Sequence, residues 1–377
     1  MIYLDNAATS FPKPDPVIEA VMRYMREIGA SPGRSSHRLG RLADETVFKA
    51  RRALARLFGV HRSEYIVFTA NATEAINVAI KGILSRGRHA ITTSLEHNAV
   101  LRPLRTMVQH GARLSIIKSG GGPVAPEDVR RAINRDTRLI VTTFASNVTG
   151  ALMPVKEIGE VAKAHGIPYL VDAAQAAGSV SINIDESPID LLAFTGHKAL
   201  LGPMGTGGLY IAEHVDFDPL KEGGTGSNST SLLQPQALPD KFEAGTLNGP
   251  GIAGLGAAAQ YILDAGIASI RERELALANR LEEGLFGIAG VKVRSWPGRS
   301  ERIALTSITF DGLSSQEAAH RLDQEFGVCV RGGLHCAPEA HKSIHTYPHG
   351  TVRFSPGPFT SESDIDAAIA AVRRIAA

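Results

Sequence analysis

Cysteine is almost missing from this chain, with only Cys329 and Cys336 among 377 residues. Two thiols are too few for a disulfide framework, so the fold must rest on burial, and the chain suits a reducing compartment. Excess charge is missing too. Forty Lys and Arg face 38 Asp and Glu, a net charge of +2, so nothing in the charge calls for nucleic acid, an anionic membrane or an acidic substrate. No apolar run approaches the length of a membrane-spanning helix. The N-terminal stretch MIYLDNAATSFPKP interrupts its one apolar patch with Asp5 and Asn6. These absences lead to the expectation of a soluble, cytoplasmic protein. Internal repeats and low-complexity tracts are absent as well.

What is there is length and alternation. A chain of 377 residues can bury one large core and a smaller one. Apolar strand-like runs alternate with amphipathic stretches: YIVFT before ATEAINVAIKGIL, HAITTS before HNAVLRPLRTMVQH, RLSII before EDVRRAI, and RLIVTTF before VKEIGEVAKAH and IPYLVD. Strands separated by single helices cross over and lie parallel, which predicts an α/β sheet sandwiched by helices. After GPGIAGLGAAAQYILDAG the pattern changes to a long charged helix followed by short strands and helices, the signature of a smaller α+β unit. The expected organisation is an N-terminal segment at 1–14, a large domain at 15–255 and a small C-terminal domain at 256–377.

Ligands of such sheets bind at the carboxyl ends of the strands. Polar residues gather at that edge: Asn71 and Thr73, His97, Asn147, Asp172 and Gln175, then His197 and Lys198. NATE opens a helix directly after a strand, which suits both an anion site and a simple capping box of Asn71 and Glu74. Asp172 ends an apolar strand, either as a helix cap or as a carboxylate awaiting a cation such as a pyridinium nitrogen. Lys198 sits between two strand-like runs in FTGHKALLGPMGTGGLYI, either as a solvated loop lysine or as an amine able to form a Schiff base. His97 by itself reads first as a helix-end or core histidine, and a ring stacked on a planar ligand is the other reading. Phosphate, pyridinium and aldehyde together describe pyridoxal 5′-phosphate.

The ordered set LDNAATSFPKP, TEAIN, LEHNAV, SNVTG, VDAAQ, TGHK, FEAGTLN and RGGLHCA resembles the cysteine desulfurase and selenocysteine lyase family, class V enzymes of the fold-type I pyridoxal-phosphate transferases. The resemblance implies that Lys198 carries the cofactor and acts as the catalytic base. It further implies that Asp172 pairs with the pyridine nitrogen, that Gln175 bonds the phenolic oxygen and that His97 lies over the ring. Ala72, Thr73, Thr195 and His197 would hold the phosphate, and Thr246 would reach it from a second subunit, which implies a homodimer. Asn147 and Arg353 would grip the substrate carboxylate, with Arg331 and Ala7–Ala8 lining the pocket. Cys336 would take sulfur from L-cysteine as a persulfide, leave alanine, and pass the sulfur to an acceptor protein, with iron–sulfur cluster assembly among the processes supplied.

Cys336 lies in a glycine-bearing loop near Arg331 and His335, whereas Cys329 is flanked by valines and reads as a buried structural thiol. Leu334 and Gly33 stand where relatives often carry histidine, while Arg34 and His37 fit the pattern. The choice between cysteine and selenocysteine stays open on the sequence, as do another class V reaction and a non-catalytic cofactor-binding scaffold. GPGIAG matches a dinucleotide-binding string but follows no apolar strand. Cys336 with His341, His345 and His349 offers a thinkable zinc set, interrupted by Pro338 and Pro348; the reading adopted contains no metal.

Overall fold

The computed structural model describes residues 1–33, 36–85, 88–227 and 229–376. In chain order the elements are β1 (Ile2–Tyr3), α1 (Asp15–Arg23), α2 (Arg38–Phe58), β2 (Ile66–Thr69), α3 (Ala72–Ile83), β3 (His89–Thr93), α4 (Asn98–Gln109), β4 (Arg113–Ile117), α5 (Pro126–Ala132), β5 (Thr137–Thr143), α6 (Val155–Ala164), β6 (Tyr169–Asp172), β7 (Leu191–Thr195) and β8 (Gly207–Ile211). They continue with α7 (Gly249–Ala265), α8 (Ile267–Leu285), β9 (Val291–Val293), β10 (Thr306–Phe310), α9 (Ser315–Phe326), β11 (Val328–Cys329), β12 (Arg331–Gly333), α10 (Pro338–Ser343), β13 (Thr351–Phe354) and α11 (Glu362–Ala376).

Seven strands form one sheet in the order β2-β8-β7-β6-β5-β3-β4. All run parallel except β8, which is antiparallel to both β2 and β7. The reversal follows from the connection: β7 and β8 are joined by a loop with no crossover helix, and only an antiparallel pair can be joined so directly. Side chains alternate between two apolar layers, as the pleat requires. Leu192 and Phe194 of β7 face the layer formed with α2, α6 and α7, whereas Leu191 and Ala193 face the layer formed with α3 and α4. Covered on both faces, β6, β7 and β8 are buried throughout, which is why they read as unbroken apolar runs. Gly207 is required at the start of β8. A Cβ there would lie 2.7 Å from Asn71 Cα and 2.7 Å from the Phe194 carbonyl oxygen, so only glycine lets this strand pass the start of α3.

The C-terminal part is built on a second sheet, β12-β13-β10-β9, entirely antiparallel, with α8, α9 and α11 packed around its apolar face. Helix α7 runs past residue 255 and packs on α1 and α2, and the chain then turns by 83° at Gly266 into α8. Gly266 has φ +79°, a conformation that glycine adopts without the cost of a Cβ. The N-terminus belongs to this second unit: β1 pairs in parallel with β11, and Leu4 is fully buried in its core. Residues 5–13 then cross to the edge of the large sheet, touching Ser355 on one side and His197 on the other.

Candidate active site

The carboxyl ends of the parallel strands converge on one cleft. Asn71, Ala72 and Thr73 follow β2, His97 follows β3, Asn147 follows β5, Asp172 and Gln175 come from β6, and Thr195, His197 and Lys198 come from β7. The topology explains the convergence, since parallel strands present all their carboxyl ends on the same side.

Lys198 opens a tight turn, its carbonyl accepting from Leu201 N at 2.8 Å while Gly196 O accepts from Gly202 N at 2.7 Å. Burial pushes its ammonium down to about 8; Asp172 opposes that shift, and Arg353 and Arg331 add to it. Asp172 is 3% exposed, and its Oδ1 accepts from Ala174 N at 2.9 Å in a turn rather than capping a helix. Burial raises its pKa, against the pull of that hydrogen bond and of Lys198. A carboxylate so placed gains from a cation brought beside it. His97 is the N-cap of α4, with Nδ1 accepting from Ala99 N at 3.0 Å. Burial and then the positive charge of Lys198 hold it near 4, so at neutral pH its ring is uncharged, with the proton on Nε2. It is therefore both the capping residue and a neutral ring in the cleft.

At the start of α3 the capping reading is realised, in a geometry compatible with the anion site as well. Asn71 Oδ1 accepts from Glu74 N at 2.9 Å and Glu74 Oε2 accepts from Ala70 N at 2.6 Å, an extended capping box. Those bonds leave the leading N–H groups of Ala72 and Thr73 with no acceptor within the helix. Beside them in the cleft, Thr195 Oγ1 and His197 Nδ1 are buried and unpartnered. Unmet donors, a buried carboxylate and an amine of lowered proton affinity, all around one cleft, fit a ligand with an anionic end, a protonatable ring nitrogen and a carbonyl group.

The second wall comes from the C-terminal sheet. Arg353 on β13 is 2% exposed. Its Nη2 donates to Asp5 Oδ1 at 3.0 Å and its Nη1 to Asn147 O at 3.2 Å, while Nε is buried without a partner. Arg331 lies directly opposite on β12 and is exposed. Cys336 is exposed in the loop after β12, and His335 and Cys336 both take left-handed backbone angles, φ +48° and +59°. Such angles are strained for residues with a Cβ and need support from their surroundings. Asn147 Nδ2 supplies it by donating to His335 O at 2.7 Å, and Asn98 N by donating to Cys336 O at 2.7 Å. Asn147 lines the cleft and Asn98 follows His97, so the cysteine is held at the rim, near enough to Lys198 and Arg353 for a thiolate there to favour their charged forms.

Ala7 joins this wall through its carbonyl, which accepts from Gln175 Nε2 at 3.0 Å, and Ala8 follows, half-buried. Thr246 does not join. It is exposed, in a separate cavity with Glu74, Gly205 and Lys221, so within one chain it stands apart from the cleft. Cys329 corrects an expectation: it is half-buried rather than buried, because β11 pairs only with the short β1. Its thiol lies 3.6 Å from Asp323 Oδ1, and burial and that carboxylate raise its pKa. Arg34 lies outside the described residues, and Gly33 lies beyond the cleft. His341 is buried and bonded to Thr346 Oγ1 at 2.7 Å, and among the described residues no group of three or more His, Cys, Asp and Glu is placed to hold a metal ion.

Three groups escaped the sequence reading. Glu96 is fully buried, with Oε1 accepting from Thr93 Oγ1 at 2.6 Å and Oε2 unpartnered; burial raises its pKa to about 8. Asp5 and Lys13 stand at the two ends of the crossing N-terminal segment. Their one signal was position, since LDNAATSFPKP carries both charges inside a motif already singled out.

The profile of the aminotransferase class-V family matches residues 2–368. A probable cysteine desulfurase of Methanothermobacter thermautotrophicus is 35% identical, over 94% of this chain and 89% of the relative. The cysteine desulfurase IscS of Methanosarcina thermophila is 34% identical, over 99% of this chain and 91% of that protein. Among solved structures, an apo cysteine desulfurase from Thermococcus onnurineus NA1 superposes with a TM-score of 0.94 at 32% identity, covering 100% of this chain and 94% of that one. The S-sulfonic acid form of the Escherichia coli cysteine desulfurase CsdA gives 0.88 at 28% identity, covering 99% and 94%. With the lysine cleft, the buried carboxylate and the rim cysteine arranged on the fold these proteins share, the chain belongs to the aminotransferase class-V family, alongside its cysteine desulfurases.

Proposed function

We propose that the cleft holds pyridoxal 5′-phosphate and that the enzyme moves the sulfur of L-cysteine onto Cys336. The carrying observation is that an amine of lowered proton affinity, Lys198, shares a cleft with the buried carboxylate of Asp172 while an exposed cysteine is anchored at the rim. Ala72 N, Thr73, Thr195 Oγ1 and His197 would hold the phosphate, Asp172 the ring nitrogen, Gln175 the phenolic oxygen and His97 the ring face. When bound, the cofactor supplies an aldehyde that condenses with amines and a ring that withdraws electrons from the substrate α-carbon.

This chain's own residues do the rest. Arg353, whose Nε has no partner within the chain, and Asn147 orient the substrate carboxylate, and Arg331 adds positive potential at the mouth. Ala7 and Ala8 close the wall on the side of the small substrate chain. Lys198 Nζ takes the α-proton, which its lowered proton affinity allows near neutral pH. Cys336 Sγ attacks the substrate sulfur, so that an S–S bond forms, the Cβ–S bond breaks, and its electron pair and a proton end on Cβ. The products are alanine and a Cys336 persulfide, whose outer sulfur passes to an acceptor protein at the exposed rim. Thr246, exposed and away from its own cleft, is assigned to the phosphate site of a second subunit in a homodimer.

Mass spectrometry after a single turnover with L-cysteine and no reductant tests this reading. One added sulfur on the Cys336 peptide, in equal yield with alanine, is expected. Alanine formed at the wild-type rate by Cys336→Ala would sink the persulfide assignment.

A further inference from the structure

The N-terminal crossing segment touches the site three times. Asp5 Oδ1 accepts from Arg353 Nη2 at 3.0 Å, and the Ala7 carbonyl accepts from Gln175 Nε2 at 3.0 Å. The third contact surrounds the carbonyl of His197, the residue just before Lys198. Ser10 N at 2.9 Å, Thr9 Oγ1 at 3.0 Å, Ser10 Oγ at 3.2 Å and Lys13 Nζ at 3.0 Å all point at that one oxygen. A carbonyl oxygen has two lone pairs, so this is more donor capacity than anchoring a loop requires. Lys13 is half-buried, its ammonium also donates to Ser10 Oγ at 2.6 Å, and among the described residues no carboxylate pairs with it. Asp5 is the acidic partner of a guanidinium that is 2% exposed, and Arg331 stands opposite as a second cation.

Apolar contacts would tether the segment at less electrostatic cost, because a charge withdrawn from water is expensive unless it is paired. The charges are instead spent on the two groups that must be aimed. We propose that residues 5–13 form a positioning strap, in which Asp5 sets the Arg353 guanidinium for the substrate carboxylate and Lys13 sets the backbone of Lys198 for proton transfer. Asp5 holds Nη2 and the Asn147 carbonyl holds Nη1, which together fix the plane and direction of the guanidinium, while Nε is left without a partner. Lys13 fixes the peptide from which the catalytic amine projects, so a small shift there displaces Nζ from the α-carbon. The Asp5 arm rests on Arg353 binding substrate.

The two arms have different kinetic signatures, which a plain tether would not produce. In the holoenzyme, Asp5→Ala should raise KM for L-cysteine and weaken calorimetric binding of L-alanine, each about ten-fold, with kcat within about two-fold. Asp5→Glu should recover part of the loss. Lys13→Met should lower kcat about ten-fold and leave KM within about two-fold, with Lys13→Arg recovering most of it. In protein stripped of cofactor, Lys13→Met should change the acetic anhydride labelling rate of Lys198, read by mass spectrometry, and Asp5→Ala should not. If both variants shift kcat and KM together in step with a lower melting temperature, or neither moves them, the strap is only a tether and the proposal falls. Arg353→Leu is the control. Should it leave KM unchanged, the substrate-binding reading fails, and the strap then stands or falls on the Lys198 labelling.

Discussion

The floor of the cleft and its rim are built by opposite means. Asp172, Thr195 and Lys198 sit at or just beyond the ends of buried strands, so their positions follow from a sheet packed on both faces. Cys336 sits in a loop with two consecutive left-handed residues, held by one side-chain amide and one backbone N–H from the large sheet's side. A rigid floor suits the steps that need fixed geometry. A strained, exposed rim suits a sulfur that must be handed on, because it is held by a few bonds rather than by a core.

The largest effect that would break this comparison is loss of the floor amine. Lys198→Ala should lower turnover at least about a thousand-fold in steady-state alanine production, since no neighbouring group replaces the base. Cys336→Ser should abolish persulfide formation to a similar extent, yet still bind L-cysteine and change the absorption spectrum, because floor and rim act separately. Equal loss of binding in the two variants would erase the distinction.

Next comes the anchor between the regions. Asn147→Ala removes the bond to His335 O, and a lost side-chain hydrogen bond over a strained loop should slow desulfuration about ten-fold or more. Limited proteolysis should then cut near residues 334–337 faster than in the wild type.

The electrostatics of the floor give a smaller, graded effect. In cofactor-free protein Lys198 should change charge near pH 8, so amine labelling at pH 8.5 should favour it over surface lysines. Asp172 supports the ammonium, so Asp172→Asn should move that titration to lower pH still. Glu96 acts on stability with the opposite dependence. Its carboxyl is raised from 4.5 to about 8 on folding, so the folded chain holds this proton more tightly. Its contribution is complete below pH 4.5 and is lost as pH rises through about 8. Glu96→Gln, permanently neutral and still able to accept from Thr93, should flatten the fall of melting temperature across that window.

The smallest effect is expected at the other thiol. Cys329→Ser replaces a half-buried group on a short strand pair, so it should cost about 0.5 kcal/mol in urea unfolding and leave the persulfide yield intact.

Much of the floor was legible in the residues. The runs ending at Asp172 and Thr195 read as strands because both faces are covered, and the polar residues after them had to meet at one edge once the strands were parallel. The dual readings at Asn71 and His97 turned out to be compatible, since each residue caps a helix through one side-chain atom and still stands in the cleft. The rim was less legible. Nothing local in RGGLHCAPEA announces left-handed angles at His335 and Cys336, because the bonds that stabilise them come from Asn98 and Asn147, more than 180 residues away in the chain.

The sequence by itself determined the alternation of strands and helices and the edge of the sheet where the polar residues gather, because periodicity and residue chemistry act over a few neighbours. On the residues alone Lys198, Asp172 and Cys336 kept more than one reading, and it was the resemblance of the ordered motifs that implied their roles. Only the tertiary structure decided that the first residues pair with β11, that Asp5 meets Arg353, that four donors from the N-terminal segment surround the His197 carbonyl, and that Glu96 is sealed beside the cleft. Such pairings depend on which distant segments share one space. Burial then sets the charge each group can keep, because desolvation is a property of the packed surroundings and not of the residue.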